Sequence, residues 1–133
     1  MGTRTVTLSQ VVEAMEENGY PQGYRHLLKD SRESTLDSYK GQKIVAACAI
    51  GQAGLNLGVG LLALAGALHN IKLRTNSKES LFDFIVELND IKEFPVKEIA
   101  VKTRKQYNKI INKSIEVTEV NFSGFDNYQG VKI

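Results

Sequence analysis

The chain has 133 residues, 42% of them apolar and 24% charged, which is the balance of a folded globular protein. That balance excludes a disordered chain and a collagen-like fibre, and one cysteine, Cys48, excludes a disulfide scaffold. Seventeen basic residues against fifteen acidic ones leave a net charge of +2, too little to argue for nucleic acid.

The length suits a single domain spanning 1–133. The expected architecture is α+β and mainly helical: four to five helices over about 7–113, then a short β element and tail over 114–133. Met1 to Gln10 is polar and lacks the apolar run of a secretory signal. Thr7 and Gln10 have capping-box spacing, a hydroxyl at the N-cap and an amide three residues on. Leu8, Val11, Val12 and Met15 follow on one helical face. Gly19 and Pro21 stop that helix, so the expectation is a helix over 8–18.

Tyr20 to Lys29 reads as a turn and a short extended segment. Asp30 to Gln42 is polar and carries Ser31, Ser34, Ser38 and Gly41, the composition of a loop. From Ile44 to Leu68 no residue is charged. A run of 25 uncharged residues is long enough to cross a bilayer as a helix, and Gly54 and Gly58 have the spacing of a helix-dimer contact. Against a span stand five glycines, the polar pair Gln52 and Asn56 one turn apart, and the lack of Trp or Tyr at its edges. A buried pair of helices is favoured, about 46–57 and 61–70, divided at Gly58-Val59-Gly60.

Ser77 is the expected cap of the next helix, with Leu81, Phe84, Ile85 and Leu88 as its apolar face and Asn89-Asp90 as its end. Pro95 stands where a first-turn proline belongs. Val96, Ile99, Ala100, Thr103, Tyr107, Ile110 and Ile111 then form a stripe, giving a helix over 95–112. Ile115, Val117, Val120 and Phe122 show the partial alternation of a strand, and 123–133 reads as an irregular tail.

Residues 92–113 carry seven basic and two acidic side chains, net +5. Lysine dominates there, so a solvated helix face is preferred over specific base readout, which favours Arg, Asn or Gln. Cys48 lies in the apolar run with only Lys43 as a nearby cation, and reads as a small core residue rather than an activated thiol. Two histidines and one cysteine do not make a four-ligand zinc site. His69, at the end of an apolar helix, reads as a cap on carbonyls. No phosphate-loop or dinucleotide fingerprint is present, although turns near Gly41–Lys43 or Gly58–Gly60 could cradle an anion. Asn89-Asp90 can take a ligand hydroxyl or close a helix, and no nucleophile–base pair lies near it in sequence. An enzyme, a metal and a cofactor are therefore not expected.

Gln22, Tyr24, Arg25 and His26 place an amide, two rings and a guanidinium within five residues. Such a set can stack on a base and pair with a phosphate. An exposed polar loop is the competing reading.

Three ordered patterns carry a resemblance: Gln22-Gly23 before Tyr24; Cys48-Ala49-Ile50-Gly51; and Leu88-Asn89-Asp90 followed by Phe94 and Glu98-Ile99-Ala100. With these, about residues 10–107 resemble small proteins of unknown function common in bacteriophage genomes. Those read Gln-Gly, then Cys-Cys-Leu-Gly or Cys-Ala-Leu-Gly, then Asn-Asp and a helix with Glu-Ile-Ala. The chain departs at Ala47, where a second cysteine often stands, and lacks their tryptophans. The resemblance implies a phage-borne accessory protein in the bacterial host cytoplasm, and brings no catalytic residue.

The expected function is to counter host defence by sequestering a small nucleotide-type signal without catalysis. Gln22, Tyr24, Arg25 and His26 would stack and pair, Asn89 and Asp90 would take hydroxyls, and Lys43 a phosphate. A homo-oligomer is expected, and the 114–133 strand either pairs with a neighbour's sheet or packs on its own domain. The alternative is a protein–protein inhibitor of a host factor or a small assembly component, with DNA binding through 95–112 or membrane insertion further behind.

Overall fold

The computed structural model describes residues 2–17, 19–25, 27, 29–30, 43–72, 79–120 and 126–127. The architecture is α+β and mainly helical. In chain order the elements are β1 (Thr3–Thr7), α1 (Leu8–Glu17), β2 (Lys29–Asp30), β3 (Lys43–Ala46), α2 (Ala49–Leu57) and α3 (Leu61–His69). Then come α4 (Leu81–Val86), a π-turn (Glu87–Ile91), α5 (Val96–Gln106), a 3-10 turn (Asn108–Ile110), β4 (Ser114–Thr118) and β5 (Asp126–Asn127).

The capping box at Thr7 forms as its spacing demands. The Thr7 N–H donates to Gln10 Oε1 at 2.8 Å and the Gln10 N–H donates to Thr7 Oγ1 at 3.1 Å, satisfying two helix-end donors. The residues before the cap are a strand. β1 runs antiparallel to β4, with Thr3 opposite Thr118 and Val6 opposite Ile115. The expected strand near the C-terminus thus pairs within its own chain. It ends at Thr118, and Phe122 lies outside the described residues.

The uncharged run begins as a strand, which displaces the start of the expected helix from 46 to 49. Ala47 remains extended because its N–H donates to Pro21 O and its C=O accepts from Gly23 N, both at 2.9 Å. Cys48 is the N-cap of α2, its Sγ accepting from the Gly51 N–H at 3.5 Å. α2 closes at Gly58, whose φ of 73° places it in the left-handed region where glycine carries no side-chain penalty. The turn onto α3 is tied down at once: Gly60 N donates to Thr118 O at 2.8 Å and Val120 N to Gly58 O at 2.9 Å. The N–H groups of Gly58 and Val59 both donate to Gly54 O. Residues 58–60 therefore offer no N–H cradle for an anion.

Both polar residues of α2 act as internal fasteners. Gln52 is fully buried, its amide nitrogen donating to Tyr20 O and Ala47 O. Asn56 donates to Ala14 O at 2.8 Å. Among the described residues no helix is long and apolar enough to cross a membrane.

Farther on, the cap of α4 is Ser80 rather than Ser77, because Asp83 three residues later completes a capping box with Ser80. Ser77 itself lies outside the described residues. The helix does not end at Asn89-Asp90. It widens into the π-turn, with Lys92 N donating to Glu87 O at 3.0 Å. Pro95 is the N-cap of α5, one position ahead of the first turn. That helix ends at Gln106, before the expected 112, as the chain tightens into the 3-10 turn. His69 lies flat against the Phe82 ring at 4.0 Å instead of capping carbonyls, and Asn70 is the C-cap.

The main core takes Leu8, Val11, Val12 and Met15 from α1, Ile50 and Ala53 from α2, Leu64 and Leu68 from α3, Ile85 from α4, Ile99 from α5, and Val6, Ile115 and Val117 from the β1–β4 pair. A smaller cluster holds Tyr20, Ala47, Leu55 and Leu61, and Leu27 packs on both. β3 sits between β2, antiparallel, and β5, parallel. Part of the expected 123–133 tail is thus strand. The expected 30–42 loop and the rest of the tail lie outside the described residues, apart from Asp30 in β2.

Candidate functional site

The three sequence patterns meet in space, and Asn89 is their centre. Helical periodicity would point its neighbour Leu88 into the core. The π-turn accommodates an extra residue per turn, and both Leu88 and Asn89 are buried. Asn89 is only 1% exposed. Its Oδ1 accepts from the Ala49 N–H at 3.1 Å and from Gln22 Nε2 at 3.1 Å. Its Nδ2 donates to Gly23 O at 3.0 Å and to Asp90 Oδ1 at 2.7 Å. One amide side chain thereby joins the Gln22-Gly23 segment, the first residue of α2 and the π-turn.

Gln22 repeats the device one step outward. Its Nε2 also donates to Phe94 O at 2.8 Å, and its Oε1 accepts from the Val96 N–H at 3.2 Å, a donor at the start of α5. Buried polar groups require such partners, and here the requirement determines where the 20–27 segment lies. Leu27 O in turn rests directly on Gly51, so close that any side chain there would collide with it.

This frame presents Tyr24 and Arg25. Asp90 Oδ1 accepts the Arg25 N–H at 2.8 Å and holds Arg25 at a φ of 67°. A left-handed non-glycine residue costs about 1–3 kcal/mol, a strain that accumulates at functional sites. Both side chains are exposed, Tyr24 at 41%. Among the described residues the Arg25 guanidinium has no ion-pair partner.

Of the residues expected to bind, Gln22 and Asn89 have their amides engaged in the fold. Asp90 has one oxygen engaged and is half-buried. Tyr24 and Arg25 face solvent beside it. His26 and the Lys43 side chain lie outside the described residues; the Lys43 backbone belongs to β3. Sequence reasoning named Gln52 as half of a polar pair but missed its task, a buried amide that fixes Tyr20 and Ala47. Its position four residues after Cys48, one turn into a helix, was the available signal.

Cys48 is a free, buried thiol at the N-cap of α2. Burial pushes its thiol up to about 11, outweighing the Gly51 and Ile50 N–H groups that lower it, while the Asp90 charge raises it further. A thiolate is needed for reactivity, so thiol reagents at neutral pH are expected to spare the folded protein and label one thiol per chain after denaturation. Fast labelling of the native protein would overturn this. The sign for stability follows: the unfolded thiol ionises near 9.0 and the folded one near 11. Its contribution is whole below pH 9 and is lost as pH rises through that window. Among the described residues no cluster of three or more His, Cys, Asp or Glu is placed to hold a metal ion.

Compared with protein-family models, curated proteins and solved structures, the chain matches none.

Proposed function

We propose that this chain is a non-catalytic binding protein that takes up a small nucleotide-type molecule at the Tyr24–Arg25 turn. In the phage setting implied by the resemblance, it would sequester a host defence signal. The observation that carries the reading is Arg25. Its backbone is held in a strained conformation by Asp90 while its guanidinium stays without an ion-pair partner among the described residues, beside an exposed aromatic ring.

The roles follow from the chemistry of the groups. Arg25 offers a planar fork of donors that matches a phosphate. Tyr24 offers a face for a base. Asp90 can accept from a ribose hydroxyl. Gln22 and Asn89 are positioning residues, holding the turn against α2 and α5 so that little ordering entropy is lost on binding.

Calorimetry against cyclic mono- and oligonucleotides and ADP-ribose compounds tests the proposal. Heat is expected with at least one of them. Arg25→Ala is expected to weaken that binding about tenfold to a hundredfold, the effect of a charge-assisted hydrogen bond of roughly 1.5–3 kcal/mol. No heat with any compound at high protein concentration would sink it. So would an Arg25→Ala variant that binds as tightly as the parent.

A further inference from the structure

The surface opposite the core on α4 and the π-turn is divided by charge. Glu79, just before the Ser80 cap, Asp83 on α4, and Glu87 and Ile91 on the π-turn form one acidic ridge. With Val86 they line a shallow acidic cleft. Ile91 at its end is 71% exposed, more than any other large apolar residue described. The adjoining row, Phe84, Leu88 and Lys92, forms one wall of a second cleft of about 300 Å³. Its other walls are Phe94, Lys102, Lys105 and Gln106. This trough has an apolar floor and a rim of three ammonium groups. Lys102 Nζ lies 5.0 Å from the centre of the Phe94 ring and 4.0 Å from Glu98.

We infer that the occupant of this trough is the acidic ridge of a second copy of the chain. The ridge lies on α4 and the π-turn, and the trough lies beside it, between the Phe84, Leu88 and Lys92 row and the α5 residues Lys102, Lys105 and Gln106. A two-fold axis running along this surface, parallel to α4, puts each ridge into the other's trough at the same time, an isologous contact made twice. The signs match: Glu79, Asp83 and Glu87 meet Lys92, Lys102 and Lys105. The apolar parts match as well, Ile91 and Val86 being offered to the Phe84, Leu88 and Phe94 surface. Ile91 is the apolar side chain that the contact takes out of water, which adds hydrophobic burial to the charge match. A free anion would satisfy the lysines but would leave Ile91 in water.

The dimer stands apart from the nucleotide proposal and is tested without a nucleotide. Sedimentation equilibrium of the full chain is expected to show a dimer whose affinity falls as salt rises. Two variants change only exposed positions. Glu87→Lys with Ile91→Lys reverses the ridge, and Lys92→Glu with Lys105→Glu reverses the trough. Each alone is expected to weaken dimerisation at least tenfold, since like charges are brought together. Mixed in equal amounts, the two restore a dimer, because both contacts then pair opposite charges. Circular dichroism matching the parent shows that each variant is folded. A parent monomeric at every concentration overturns the inference. So does a dimer indifferent to both variants, or a mixture that fails to associate; retained inorganic phosphate binding by a monomeric parent would assign the trough to anions instead.

Discussion

Replacing Asn89 with aspartate is expected to destabilise the protein by about 3–5 kcal/mol, the usual effect of leaving a buried charge uncompensated. The substitution preserves size and shape, and the two bonds that Asn89 Oδ1 accepts, from Ala49 N and Gln22 Nε2, can persist. What changes is the other arm. The amide nitrogen that donates to Gly23 O and Asp90 Oδ1 becomes an oxygen facing two oxygens. Burial and the adjacent Asp90 both raise the pKa of the new carboxyl. Its penalty is therefore present at neutral pH and is relieved as pH falls through the raised value, where the protonated acid regains a donor. Denaturant unfolding at neutral and mildly acidic pH measures both effects. An Asn89→Asp protein as stable as the parent at neutral pH would show that the junction at Asn89 does not hold the fold together. Global stabilities of small domains are about 5–15 kcal/mol, so the loss is large enough to leave much of the population unfolded.

Gly51→Ala is expected to be about as damaging, for a steric reason. A methyl group at residue 51 would lie 1.6 Å from Leu27 O and 2.7 Å from Leu27 C. Both atoms belong to the backbone and cannot rotate away. Alanine is favoured over glycine inside a helix by roughly 1 kcal/mol, and that gain is small beside the displacement the methyl group demands. Leu27 packs on both apolar clusters, so moving it exposes surface from each. The expected loss is about 3 kcal/mol or more, at the upper end for overpacking. Limited proteolysis should show new cleavage near Leu27 well before global unfolding. Unchanged melting and an unchanged digestion pattern would mean that the Leu27 segment does not rest on α2.

Helices α1 and α5 were legible because an apolar stripe at helical spacing needs no knowledge of the rest of the chain. The Thr7–Gln10 box was legible because both partners lie within one turn. The strand ahead of it was not. Thr3 to Thr7 alternates weakly, and its partner is β4, which local pattern cannot supply. β3 was hidden inside an apolar run that reads equally well as helix. The π-turn has no local sequence signature, and without it Asn89 reads as a helix end. The candidate site was legible as a set of residue types. The sequence could not say that Gln22 and Asn89 bond to each other, which decides that they hold the turn while Tyr24 and Arg25 face outward.

The β1–β4 pair also constrains the order of events as the chain is made. Thr3 faces Thr118, so β1, once made, must wait for nearly the whole of the described chain before it can pair. Closing so long a loop is entropically expensive, and contacts of such high sequence separation slow folding. Val6 and the N-terminal edge it belongs to stay uncovered until Ile115 and Val117 arrive. The helices between can assemble earlier from contacts closer in sequence, before the seam between the two strands can close. Nascent chains arrested before Ser114 should therefore carry a helical body with an unsealed edge, open to chaperones and to pairing with one another.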